Sequence, residues 1–341
     1  MSSYNNILLV KKLTLKKLSN AFKVWISYQI SKRTKHAVNY GLPISIAIEP
    51  TTSCNLRCPE CPSGLRQFTR PIGMLEPIFF KTVIDSIHKE LIYLTFYFQG
   101  EPYLNPNFLE MVKYASQKKI YTSTSTNAHY LSKEQAIKTI ESKLDRLIIS
   151  IDGTTQEIYE QYRIGGSLQK VIEGTENIVS AKKKLNSKTP HIVFQFLVVK
   201  PNEHQLNEVK LMADKLGVDE VVFKTAQVYD FENGNPLIPN NQNYSRYKQL
   251  ADGRYKIKNE LLNHCWRMWS SCVATWDGII VPCCFDKDAK HQLGDLKKQE
   301  FKSIWESDTY QFFRRSILKS RQEIDICKNC SEGTKVWTEK L

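Results

Sequence analysis

Nine cysteines stand in this chain of 341 residues, and they are not scattered. Three fall within one short segment, at Cys54, Cys58 and Cys61. The other six lie between positions 265 and 330, at Cys265, Cys272, Cys283, Cys284, Cys327 and Cys330. Structural thiols spread among buried apolar positions; clustered thiolates hold metal. Three thiolates at spacings of four and three residues wrap one face of a cubane cluster without closing a four-cysteine site. One iron of such a cluster stays open, which a reactive centre requires. Zinc is the competing chemistry: a knuckle or half-site for the first set, and a four-cysteine ribbon for the second.

These side chains need a scaffold. An apolar, strand-like run at 44–48 leads through Glu49-Pro50-Thr51-Thr52-Ser53 into the first cysteines. Further strand-like runs fall near 92–98, 120–125, 146–151, 191–199 and 219–224. Helix-like runs lie near 77–90, 106–118, 133–142, 168–185 and 204–216. Asn105-Pro106, Ser132 and Gly165-Gly166 supply start signals and Gly217 a stop. Strands alternating with helices of this length predict parallel pairing. A partial barrel and a doubly wound sheet both fit the periodicity. In either, the loops after the strands share the rim where ligands bind. Turn residues crowd 231–259, and the cysteine-rich end begins at about residue 260. Within it, 271–284 predicts a hairpin about Asp277-Gly278 that presents Cys283 near its end, and a helix follows near 299–318.

The run Cys54-Asn55-Leu56-Arg57-Cys58-Pro59-Glu60-Cys61 resembles the signature of radical S-adenosylmethionine (radical SAM) enzymes. Gln99-Gly100-Glu101-Pro102 resembles that family's Gly-Gly-Glu-Pro motif, with Gln99 replacing the first glycine. Ser125-Thr126-Asn127 resembles its Thr-Asn-Gly turn, with Ala128 replacing the glycine. Ser150-Ile151-Asp152-Gly153 resembles its Ser-x-Asp-Gly strand end, Arg163 matches a family arginine, and Glu60 stands where an aromatic residue is usual. The resemblance implies a partial (β/α)6 TIM-type barrel carrying a 4Fe–4S cluster on Cys54, Cys58 and Cys61. S-adenosyl-L-methionine would bind the open iron and be cleaved reductively to a 5′-deoxyadenosyl radical that takes hydrogen from a substrate. Among the implied cofactor-binding residues, Gly100 permits close backbone approach and Glu101 accepts the methionine ammonium. Asn127 lies beside the cofactor, Ser150 and Asp152 near its ribose and carboxylate, and Arg163 forks onto the carboxylate. A low-potential electron donor such as flavodoxin or ferredoxin is implied as well.

The C-terminal segment resembles the SPASM/twitch extension of the same family, with its Gly-x-x-x-Pro-Cys hairpin at Gly278 to Cys283 and its Leu293-Gly294-Asp295. The resemblance then covers 44–335 and implies one auxiliary 4Fe–4S cluster on Cys265, Cys283, Cys327 and Cys330. Cys284 could replace Cys283, and Cys272 is left over. Four cysteines close a cluster, which suits electron transfer. The implied enzyme is an oxidoreductase or maturase that abstracts hydrogen from a sugar-like, envelope-linked or peptide substrate and then oxidises it. No catalytic side chain is assigned; Lys224, Gln227, Tyr229 and Asp286 are expected to be structural or solvent-facing. The alternative, a non-catalytic zinc- or RNA-binding protein, requires the strand-end matches to be coincidence.

Charge is uneven. Of a net +13, residues 1–40 supply +8 through seven Lys and one Arg with no Asp or Glu. A basic balance suits an anionic membrane surface or nucleic acid. Residues 11–30 predict an amphipathic helix with Leu15, Leu18, Phe22, Trp25, Ile26 and Gln29 near one face and Lys12, Lys16 and Lys23 elsewhere. Two roles are expected for it: contact of residues 1–35 with a membrane surface, or packing over the open side of the barrel. Nucleic acid is not an expected partner. No apolar run is long enough to span a bilayer, and Ile7-Leu8-Leu9-Val10 is too brief for a signal core, so the expected location is cytoplasmic, with membrane association on the inner face. Thiols there stay reduced. The expected division is an arm (1–40), a core barrel (41–230), a linker (231–259) and an auxiliary-cluster domain (260–341).

Overall fold

The computed structural model describes residues 3–330. The chain opens with α1 (Ser3–Val10) and α2 (Leu15–Thr34) and then enters six strands that pair in parallel. These are β1 (Ser45–Ile48), β2 (Tyr93–Thr95), β3 (Tyr121–Thr126), β4 (Arg146–Ser150), β5 (His191–Val198) and β6 (Glu220–Thr225). Their spatial order is their chain order, β1 to β6 without reversal. A doubly wound sheet would reverse at a switch point, so this is the partial-barrel arrangement. The connecting helices are α4 (Pro77–Ile87), α5 (Phe108–Gln117), α6 (Lys133–Glu141), α8 (Leu168–Lys184) and α9 (Leu206–Leu216). Short α3 (Pro62–Leu65) and α7 (Gln156–Tyr162) sit in the loops after β1 and β4, each too brief to leave a readable period. Ser132 caps α6 through Gln135 N, Ser167 rather than the glycine pair caps α8, and Gly217 closes α9 in the left-handed conformation.

Residues 231–259 contain a small antiparallel hairpin, β7 (Tyr247–Gln249) and β8 (Tyr255–Ile257). After α10 (Arg267–Ser270), the strands β9 (Ser271–Ala274), β10 (Ile279–Val281) and β11 (Gly294–Asp295) extend the barrel sheet. β9 pairs in parallel with β1, placing Cys272 opposite Ile46. The edge of β1, which would otherwise expose unpaired peptide groups, is thereby covered. The helix expected near 299–318 is two helices, α11 (Phe301–Glu306) and α12 (Asp308–Ser320), broken at Ser307, whose hydroxyl caps α12.

Helix α2 does not lie over the open side of the barrel. Lys12, in the turn before it, meets Asp145 at 2.7 Å and the Ile120 carbonyl at 3.2 Å. Lys17 donates to the Lys119 carbonyl at 2.5 Å, and Lys16 pairs with Glu90 at 2.8 Å. Those partners immediately precede β4, β3 and β2, so the arm crosses beneath the N-terminal strand ends. The segment after α2 is held by indole donors, Trp269 to the Val38 carbonyl and Trp305 to the Gly41 carbonyl, each at 2.8 Å. Among the described residues, no helix is long and apolar enough to cross a membrane.

A buried ion pair joins the first cysteine loop to the C-terminal hairpin. Arg70 forks onto Glu49 at 2.8 and 2.5 Å and reaches the Lys287 carbonyl at 3.1 Å, while Glu49 also accepts from Trp276 N. Burial lifts the Glu49 carboxyl above its ordinary range, and Arg70 only partly offsets this. Arg70→Met is therefore expected to cost about 3–5 kcal/mol by leaving a carboxylate buried without its counter-charge. Glu49→Leu combined with Arg70→Met should recover much of that loss. Denaturant unfolding of the four proteins in the cycle checks both.

Candidate active site

The loops leaving β1, β2 and β3 and the end of β4 meet at one cavity. Cys54, Cys58, Cys61, Gly100, Glu101, Asn127, Ser150 and Arg163 all line it. The cysteine loop is held by backbone contacts: Arg57 N donates to the Ile164 carbonyl, and Cys61 N to the Cys58 carbonyl. Gln99 contacts the Cys61 thiol at 3.7 Å, and Asn127 donates to Asn55 at 2.8 Å. Gly100 sits at φ +75°, and a Cβ there would lie 2.2 Å from the Thr51 carbonyl oxygen. Only glycine lets the β2 loop approach the β1 loop so closely. That approach is fixed by Glu101 N on the Ser53 carbonyl at 2.7 Å and by Gly100 N on the Ser63 hydroxyl at 2.9 Å.

Three charged groups define the electrostatics. Glu101 accepts from the Thr126 hydroxyl at 2.7 Å, Asn127 N at 2.8 Å and Tyr103 N at 3.3 Å. Burial nevertheless pushes its carboxyl up to about 7 by disfavouring the charged form, whereas a cation beside it would favour that form. Asp152 does not line the cavity. It is fully buried behind Arg163, accepting from Arg163 Nε at 2.5 Å and from Leu197 N at 2.7 Å. This backing orients the guanidinium, whose Nη1 lies 3.6 Å from the Cys58 sulfur. Burial raises the Cys54 thiol to about 12 and raises Cys58 as well. Glu60 turns away from the cavity and accepts from Tyr229 N at 2.9 Å.

Ser63, Tyr97, Tyr162, Gln195 and Leu197 also line the cavity, and sequence reasoning missed them. Strand alternation places Gln195 and Leu197 on one face of β5, but nothing local says which face looks inward. Lys287 joins Tyr229 at the rim, and Asp286 caps the backbone of Lys290 and His291.

The second set of thiols converges separately. Cys265, Cys283, Cys327 and Cys330 line one small pocket with Met268, Phe285, Phe313, Ile317 and Arg321. Cys284 is exposed, and Cys272 is buried in β9 away from that pocket. Buried Arg321 donates to the Cys330 sulfur at 3.1 Å and to the His264 carbonyl at 3.3 Å. Burial raises Cys327 to about 12. Every described cysteine is a free thiol. Among the described residues, no three Cys, His, Asp or Glu side chains are gathered closely enough to hold a single metal ion.

With an open three-thiol cavity on the barrel rim and a four-thiol pocket beside the hairpin, the chain belongs to the radical SAM superfamily, whose model matches residues 48–216. An iron–sulfur cluster-binding domain of the SPASM family matches residues 265–331. It is therefore an enzyme whose cofactors are 4Fe–4S clusters and S-adenosyl-L-methionine. The donor sets fit these groups: thiols for iron, an acceptor-rich buried carboxylate for an ammonium, and a backed guanidinium for a carboxylate.

The chain is 24% identical over 315 residues to the tungsten-containing aldehyde ferredoxin oxidoreductase cofactor-modifying protein of Pyrococcus furiosus, covering 83% of this chain and 86% of that one. It is 28% identical over 175 residues to the mycofactocin maturase MftC of Mycobacterium ulcerans, covering 51% of this chain but only 45% of that protein. The crystal structure of Streptococcus suis SuiB bound to precursor peptide SuiA shares the fold, with TM-score 0.62 at 14% identity, covering 93% of this chain and 76% of that chain.

Gly100→Ala is expected to lower stability by at least about 2 kcal/mol, through steric overlap added to positive-φ strain. Gly165 has a similar φ of +76° but no atom within 4 Å of an added Cβ. Gly165→Ala should cost only about 1 kcal/mol. Thermal unfolding of the two variants separates overlap from strain.

Proposed function

We propose that Cys54, Cys58 and Cys61 hold a 4Fe–4S cluster and that Gly100, Glu101, Asn127, Ser150 and Arg163, with Asp152 behind it, seat S-adenosylmethionine against it. The enzyme then removes hydrogen from a peptide or a cofactor-sized substrate, and oxidation is completed through a second cluster on Cys265, Cys283, Cys327 and Cys330. The observation that carries this reading is the convergence of three thiols, a buried carboxylate and an arginine on one cavity at the C-terminal strand ends. When bound, the first cluster and S-adenosylmethionine supply a 5′-deoxyadenosyl radical for hydrogen abstraction, and the second cluster supplies a one-electron acceptor.

The chain's own residues prepare the site. Asp152 locks Arg163 so that its outer nitrogens present a planar fork to a carboxylate beside the thiols. Glu101 keeps oxygen lone pairs for an ammonium after accepting its three internal hydrogen bonds. Its folded value lies above the ordinary carboxylate value, so ionisation costs stability as pH rises toward 7, and a bound cation restores it. Two relatives, a cofactor-modifying protein of Pyrococcus furiosus and a PqqA peptide cyclase of Bradyrhizobium diazoefficiens, support the two substrate classes by name. The reading includes a flavodoxin- or ferredoxin-type donor, a reducing compartment that suits the free thiols, and the division at about 40, 230 and 260.

Anaerobically reconstituted protein is expected to carry about eight irons per chain and to form 5′-deoxyadenosine with a chemical reductant. Cys58→Ala should retain about half the iron and form none. Cys330→Ala should keep 5′-deoxyadenosine formation while losing the other half. Zinc in place of iron, with no absorbance near about 400 nm, would overturn the assignment.

Glu101→Gln and Arg163→Lys should each weaken S-adenosylmethionine binding about tenfold or more at unchanged iron content. Near pH 7, wild-type binding should release protons from Glu101, and Glu101→Gln should release none. Calorimetry in buffers of different ionisation enthalpy reads both.

A further inference from the structure

We propose that α2 is an interfacial helix that docks the enzyme on an anionic phospholipid bilayer, with the barrel mouth turned away from the surface. The packing of α2 is inverted relative to an ordinary surface helix. Its buried side carries Lys17, Asn20, Val24, Ser27 and Ser31, mostly polar or small. Its polar groups are satisfied there: Lys17 on the Lys119 carbonyl, Asn20 on Leu42, and Ser27 on the Tyr40 amide. The apolar side faces outward, with Leu15 87%, Leu18 48%, Phe22 60% and Trp25 50% exposed. At intervals of three, four and three residues these four form one stripe. Phe22 and Trp25 stack at 6.1 Å between ring centroids, a preformed aromatic wedge.

Charge selects the occupant. Lys16 and Lys23 flank one edge of the stripe and Lys32 and Arg33 its C-terminal end, all exposed. Residues 1–40 contain no Asp or Glu, and of these four basic groups Lys16 is paired with Glu90 at 2.8 Å. An apolar stripe bordered by basic side chains matches acyl chains beneath anionic headgroups. A second copy would bring like charges together along the same edges, and nucleic acid offers nothing to the apolar centre. Because α2 crosses under the N-terminal strand ends and the cysteines stand at the C-terminal ends, the docked surface and the mouth lie at opposite ends of the barrel. Substrate therefore arrives from the aqueous side.

The test is flotation of full-length reconstituted enzyme with vesicles of phosphatidylcholine alone or with phosphatidylglycerol at about 3:1. Wild type should float with the anionic vesicles, weakly with neutral ones, and should form 5′-deoxyadenosine at the same rate bound as free. Phe22→Ser with Trp25→Ser should bind at least about tenfold more weakly at unchanged melting temperature and iron content. Failure to float with either vesicle, or equal flotation of the double variant, would overturn the docking. A concentration-dependent dimer dispersed by the double variant would overturn it in favour of a second copy. Inhibition of 5′-deoxyadenosine formation on vesicles would overturn the orientation. Flotation does not depend on radical chemistry, so it fails or succeeds separately from the proposed function.

Discussion

The structure depends on β1 being hydrogen-bonded along both edges, to β2 on one side and to β9 on the other. A four-residue strand held on one edge alone would fray at the terminus where the first cysteines begin. Pairing with β9 removes that freedom and also fixes where the hairpin bearing Cys283 stands. One sheet therefore sets the positions of both thiol groups. Arg70, spanning Glu49 and the Lys287 carbonyl, repeats the connection with side chains on the rim.

The cavity is organised around buried charge. Glu101 and Arg163 each carry internal hydrogen bonds that hold them in one orientation, yet each keeps atoms directed at the cavity. Burial raises the Glu101 carboxyl by penalising its charged form. In the proposed reading, a zwitterion would present its ammonium to Glu101 and its carboxylate to Arg163. Arg321 stands in a comparable relation to the second thiol set, giving that small pocket a positive charge beside Cys330.

The arm shows that amphipathicity and packing are separate properties. Basic side chains at Lys12 and Lys17 are drawn to carbonyls and to Asp145 at the strand ends, where desolvation lowers Lys17 to about 8 without preventing its contact. The apolar stripe of α2 is thereby left on the outside.

Residue order alone determined the chemistry of the site and the alternation of strands and helices. The reason is that both reside in short windows: thiol spacing over a few residues, strand-end motifs at single turns, and periods of 2 and 3.6. The tertiary structure decided what long-range contacts decide. It selected the partial barrel through unreversed strand order, joined β9 to β1 across more than two hundred residues, placed Asp152 behind Arg163, and turned Tyr97, Gln195 and Leu197 inward. It also chose which side of α2 would be buried, since a helical period is the same whichever face meets the core and only the partners at the strand ends break that tie.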